Sequence, residues 1–125
     1  MMVSRILYLV RRQDDVVNYD EIVLKVRAAD VMDMDNSDAL WTFLKTMILG
    51  GIKKVMVDME GLDFIDSSGI GVLIESAKLL RQGQGDIALL NVPERIQTIF
   101  QTIKLNRFIK IFASEEDGLS FFRLV

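Results

Sequence analysis

Asp66-Ser67-Ser68-Gly69 sets a carboxylate and two hydroxyls between two apolar runs, Phe64-Ile65 before it and Ile70 to Ile74 after it. A serine hydroxyl at a helix start faces unpaired N–H groups and the positive end of the helix dipole. A phosphoryl group placed there is electrostatically tolerated by its own fold, and it adds roughly −1.5 to −2 charges to the surface. The same residues also have a structural use. Ser67 or Ser68 can cap the helix by accepting a first-turn N–H, while Gly69 and Gly71 let the helix approach a sheet closely. One hydroxyl suffices for a cap, so the second hydroxyl and the preceding acid are left over. A second candidate is Asp58 in "VMVDMEG", which could serve as a carboxylate nucleophile or phosphoryl acceptor. A third is the acidic stretch Asp30, Asp33, Asp35 and Asp38, whose spacing departs from a calcium-binding loop and lacks its glycine; a solvated face is the simpler use.

Much chemistry is excluded outright. The chain has no His and no Cys. That removes a Ser-His-Asp triad, a cysteine nucleophile, a thiolate–imidazole zinc site and an iron–sulfur cluster. Gly69-x-Gly71 is followed by Ile74 where a dinucleotide fingerprint needs a third glycine, and the stretch has no phosphate-loop lysine. No metal or cofactor is therefore expected. With 15 Lys and Arg against 18 Asp and Glu, the net charge is −3. The basic pairs Arg11-Arg12 and Lys53-Lys54 suit solvated strand ends, so direct nucleic-acid binding is not expected. No apolar run approaches the ~18 residues of a membrane span, and the start lacks a signal-peptide core. A cytoplasmic protein is the expectation. At 125 residues, half of them hydrophobic and one a proline, residues 1–125 are expected to form a single domain with a sizeable core.

The elements that would position these residues follow from periodicity. Arg5 to Val10 and Ile22 to Val26 read as two strands paired antiparallel across the polar stretch 11–21. Asn36 or Ser37 is placed to cap a helix with Leu40, Phe43, Leu44, Met47 and Ile48 on one face, stopped by Gly50-Gly51. Lys53 to Met59 hardly alternates, as in a central strand buried on both faces. A helix from about Ser68 to Arg81 carries Ile70, Leu73, Ile74, Ala77 and Leu80 on one stripe. Ile87 to Asn91 is the next strand. Pro93 suits the first turn of a helix with Ile96, Ile99, Phe100 and Ile103. Ile109 to Phe112 is a short last strand. Ser114 caps a final helix whose Leu119, Phe122 and Val125 face inward. The methionines suit core filling, with Met32 and Met34 placed to line an adaptable surface. Trp41 is expected to pack partly on the sheet. The order implies an α/β layer with an opening β-hairpin, and it sets the Asp66–Gly69 turn at the carboxyl edge of the sheet, where ligands and partners meet such folds.

From Lys53 to about Phe122 the chain resembles the STAS domain of bacterial anti-sigma-factor antagonists. The likeness rests on a buried strand followed by an acidic residue, then Asp-Ser-Ser-Gly-Ile-Gly, and on the later "IFQTIKLNRFIKIF". It implies a four- to five-stranded mixed sheet with about four helices. It also implies a non-enzymatic partner-switching protein, which binds an anti-sigma factor that is itself a serine kinase and so releases the sigma factor. By position Ser67 is the implied phosphorylation site. Asp66, Ser68 and Gly69 shape the partner surface beside it. A phosphatase resetting Ser67 is a further implied partner, and a monomer or weak dimer is expected. The N-terminal half departs from the family turn: "VRAADVMDMDNSDA" has no glycine, and either Asp30 or Asp33 matches the family's acidic position. The alternative is a STAS adaptor that binds constitutively in a lipid-transport or stressosome-like assembly. Asp58 also resembles the first Asp of haloacid-dehalogenase phosphatases and a receiver's phospho-acceptor. Glu60 stands where the former usually has Asp, and Asp14-Asp15 lie too far along for the latter's magnesium pair.

Overall fold

The computed structural model describes residues 3–10 and 22–123. The stretch 11–21, with Arg11-Arg12 and Asp14-Asp15, and Val125 lie outside the described residues. Strand β1 (Val3–Val10) pairs antiparallel with β2 (Val23–Ala28). From β2 the sheet continues in parallel through β4 (Lys54–Asp58), β6 (Asp86–Leu90) and β7 (Lys110–Phe112), in the order β1-β2-β4-β6-β7. Helices α1 (Ser37–Leu49), α2 (Ser67–Gln82), α3 (Glu94–Thr102) and α4 (Glu115–Arg123) join and cover it. The mixed sheet, the four helices and the antiparallel opening pair are those expected from the sequence.

Why the central strands lack visible alternation is now clear. Leu24, Val26, Val55, Val57, Ile87 and Leu89 enter one core, roofed by residues such as Leu44, Leu73 and Phe100 of α1, α2 and α3. The intervening Val23, Met56, Ala88 and Leu90 enter a second, smaller core with Phe122 and Leu119 of α4. Both faces are apolar, so the period of two is masked. α4 lies close against its face. A Cβ at Gly118 would come within 2.8 Å of Leu90 Cδ2 and 3.1 Å of Met56 Sδ, which explains glycine in the middle of a helix.

Two strands were not legible. Val31–Met32 (β3) and Phe64–Ile65 (β5) form a separate two-stranded parallel sheet. Each is too short to show a period. Their pairing brings the acidic loop of the thirties onto the start of α2. Helix ends also needed correction. Asn36 precedes α1 but makes no side-chain cap bond; its Oδ1 accepts from Asp33 N and its Nδ2 donates to Val31 O, closing the loop instead. Pro93 is the residue before α3 rather than its first turn. Ile103 lies beyond the helix and is about half exposed, not on its buried stripe. Gly51, at φ 120°, ends α1 as expected, with Ile52 N bonded to Met47 O and Gly51 N to Ile48 O. Ser114 caps α4 by accepting from Asp117 N.

Ser76, fully buried on α2, has a hydroxyl with no hydrogen-bond partner among the described residues. A buried unmet hydroxyl costs about 1–3 kcal/mol. Ser76→Ala, which also favours helix, is therefore expected to stabilise the fold by about 1 kcal/mol. An upward shift of the urea midpoint without a change of slope is the readout; a downward shift would mean that the hydroxyl has a partner.

Candidate functional site

Asp66, not either serine, caps α2. Its backbone is extended (φ −110°, ψ −173°), as a capping residue requires, and its Oδ1 accepts from Ser68 N at 2.9 Å and Gly69 N at 3.2 Å. Its Oδ2 accepts from Met34 N at 3.2 Å, and its amide donates to Met32 O. One carboxylate thus starts the helix and ties it to the loop of the thirties. That spends the acid which a plain serine cap left unexplained. Asp30 holds the other end of the junction through its carbonyl, which accepts from Asp63 N and Phe64 N. Asp33 turns its carboxylate onto Asp35 N, and its carbonyl accepts from Ser37. Both acids therefore border the junction through backbone contacts.

The two serines have different fates. Ser67 is exposed in the first turn, and its hydroxyl has no bond among the described residues. Ser68 is half-buried, and its hydroxyl donates to Asp66 Oδ1 at 2.5 Å. Ser68 Oγ also lies 3.2 Å from Oγ of the buried Ser37, whose own proton goes to Asp33 O at 2.6 Å. Each hydroxyl has one proton, so the contact between them has none of its own. Gly69 is required by close approach: a Cβ there would sit 2.7 Å from Met32 O and 2.9 Å from Ile65 Cγ1. Gly71 is not, since a Cβ would meet nothing within 4 Å. Contrary to expectation, close helix–sheet approach depends on Gly69 and not on Gly71. Met32 is core rather than surface, whereas Met34 (76% exposed) and Phe64 (52% exposed) project beside the junction. The "LDFID" pattern, a phenylalanine between two acids, was the available signal for Phe64.

Asp58 is committed elsewhere. It is 2% exposed, with Oδ2 3.4 Å from an Arg27 nitrogen and 3.8 Å from Lys25 Nζ, and Oδ1 accepting from Glu60 N and Asn91 Nδ2. Lys25, also buried, is paired with Glu115 at the start of α4. This cluster clamps α4 to the sheet and leaves Asp58 without the exposed lone pair that a nucleophile needs.

The Ser68 hydroxyl, above all, holds the Asp66 carboxyl below its ordinary value; partial burial opposes this, and the Gly69, Ser68 and Met34 amides add to the lowering. A carboxyl whose folded pKa is depressed contributes stability above its unfolded value near 3.8, lost as pH falls through the folded value. Stability should therefore decline with acid below about pH 4, and Asp66→Asn should flatten part of that slope. Urea unfolding between about pH 3 and 6 checks this; identical slopes would show that Asp66 is not the linked group.

With this geometry in place, likenesses to known proteins bear on identity. The STAS domain profile matches residues 8–118. BtrV of Bordetella bronchiseptica, which carries the name of an anti-sigma factor antagonist, is 30% identical over 82 residues, 66% of this chain and 68% of its own. The anti-sigma-B factor antagonist of Staphylococcus aureus is 24% identical over 87 residues, 70% and 81% of the two chains. The anti-sigma factor antagonist SpoIIAA in its unphosphorylated form superposes with a TM-score of 0.76 at 20% identity, covering 97% of this chain and 96% of that one. Bacillus SpoIIAA in the phosphorylated form gives 0.65 at 24%, covering 90% and 98%. Among the described residues no helix is long and apolar enough to cross a membrane. The fold, the matched span and the relatives agree: the chain belongs to the STAS domain family.

Proposed function

We propose that this protein is a non-enzymatic anti-sigma-factor antagonist switched by phosphorylation of Ser67. Unmodified, it binds an anti-sigma factor that is also a serine kinase, and the sigma factor is released. Phosphate on Ser67 ends that binding, and a phosphatase restores it. The observation that carries this reading is the contrast between neighbours: Ser67 is exposed and its hydroxyl has no bond among the described residues, while the Ser68 hydroxyl is engaged as a donor to Asp66. Met34 and Phe64 supply exposed apolar area beside it, and Asp66, Asp30 and Asp33 shape the surrounding loop. The names of the curated relatives support the general role.

The test is phosphorylation with ATP by each serine kinase encoded beside the gene, followed by peptide mass spectrometry. One phosphate, on Ser67 and absent from Ser67→Ala, is expected. Phosphate on Ser68 alone would overturn the assignment. No phosphate from any of them would favour a constitutively bound STAS adaptor.

A further inference from the structure

Gly71 lies inside α2, where glycine costs about 1 kcal/mol relative to alanine, and no neighbour needs the space its missing Cβ leaves. That space opens into a groove between α1 and α2 of about 190 Å³, lined by Ser37, Asp38, Trp41, Ser68, Gly71, Val72 and Glu75. It is below the roughly 300–1,000 Å³ usual for small-molecule sites, which favours one inserted side chain over a free ligand. Its rim is acidic. Asp38 is exposed with no ion-pair partner among the described residues, and Glu75 reaches only Lys78, at 3.7 Å, with both side chains more than half exposed. Such an exposed pair contributes little and is readily exchanged. Trp41, half-buried, adds an aromatic ring to the lining.

We propose that this groove is an anchor pocket for an arginine side chain of the protein partner, a refinement that rests on the partner-binding role given above. Two carboxylates and an indole suit the flat guanidinium, which stacks on aromatic faces and bonds carboxylates in a fork, better than the compact, strongly hydrated ammonium of lysine. The glycine floor lets the stem lie against the helix backbone. Because Ser68 lines the same groove, an arginine seated there places partner surface beside Ser67.

The test titrates a capped tetra-arginine peptide into the isotope-labelled full chain, followed by NMR, with tetra-lysine and tetra-glutamine peptides for comparison. Shifts centred on the Trp41 indole, Asp38, Gly71 and Glu75 are expected, with tetra-lysine weaker and tetra-glutamine silent. Gly71→Ala should weaken the peptide about fivefold or more while the melting temperature holds or rises, since alanine favours helix. Asp38→Asn combined with Glu75→Gln should weaken it similarly and flatten its salt dependence. Shifts spread over other acidic surfaces, equal binding of tetra-lysine, unchanged affinity in Gly71→Ala, or no binding would each overturn the proposal. No kinase is used, so failure here leaves the Ser67 reading standing.

Discussion

Asp58→Ala is expected to destabilise the fold by about 3 kcal/mol, read as a lowered urea midpoint. The Asp58 side chain is 3% exposed, and removing it takes away the counter-charge facing Arg27 and Lys25. Breaking a buried pair costs about 3–5 kcal/mol because a charge is left behind. The low end applies because Lys25 keeps Glu115 and Arg27 is 39% exposed, so both retain some solvation or pairing. Asp58→Asn keeps the shape and should lose less, with partner binding nearly intact. The cluster also bears on the enzyme alternative. A carboxylate enclosed by two cations and two further donors is a clamp for α4, so magnesium-supplemented phosphatase substrates should give no turnover. Hydrolysis abolished by Asp58→Asn would reverse that reading.

Ser67→Asp should weaken partner binding by about tenfold or more, while Ser67→Ala should leave it near wild type. The fold itself should accept the acid, because residue 67 is in the first turn of α2, where the dipole favours negative charge. The like charge of the neighbouring Asp66 offsets part of that benefit, so the melting temperature should hardly move. The loss must then come from the partner side, through repulsion or a desolvated, unpaired charge. Aspartate carries about half the charge of a phosphate, so a partial effect is in keeping. Equal affinities by calorimetry, or weakening only through unfolding, would count against the switch.

How much of this was legible in the sequence varied with the physical scale of the signal. Long apolar stripes such as Leu40/Leu44 and Ile96/Phe100 placed α1 and α3, and the unbroken run at Val55–Val57 placed the central strand, because burial repeats over many residues. Two-residue strands carry no period, so β3 and β5 were invisible, and with them the bonding of Asp66 to Met34. Capping was assigned to the wrong side chain because Asp, Ser and Ser are all good caps; only the backbone at Asp66 separates them. Glycine was ambiguous for the same reason. Gly69 and Gly71 look alike in sequence, yet one is forced by contact with Met32 and Ile65 and the other opens a groove. The Lys25–Asp58–Glu115 cluster joins residues 90 positions apart in part and could not be paired from the chain alone.

One phosphate on Ser67 should change what this surface binds without changing the fold. The direct measurement is calorimetric titration of the kinase partner with the same chain, unmodified and stoichiometrically phosphorylated, with melting curves for both. Binding is expected to weaken by about a hundredfold on phosphorylation, with melting temperatures that differ little. Equal affinity of the two forms, or a phosphorylated form that binds weakly only because it has unfolded, would contradict it.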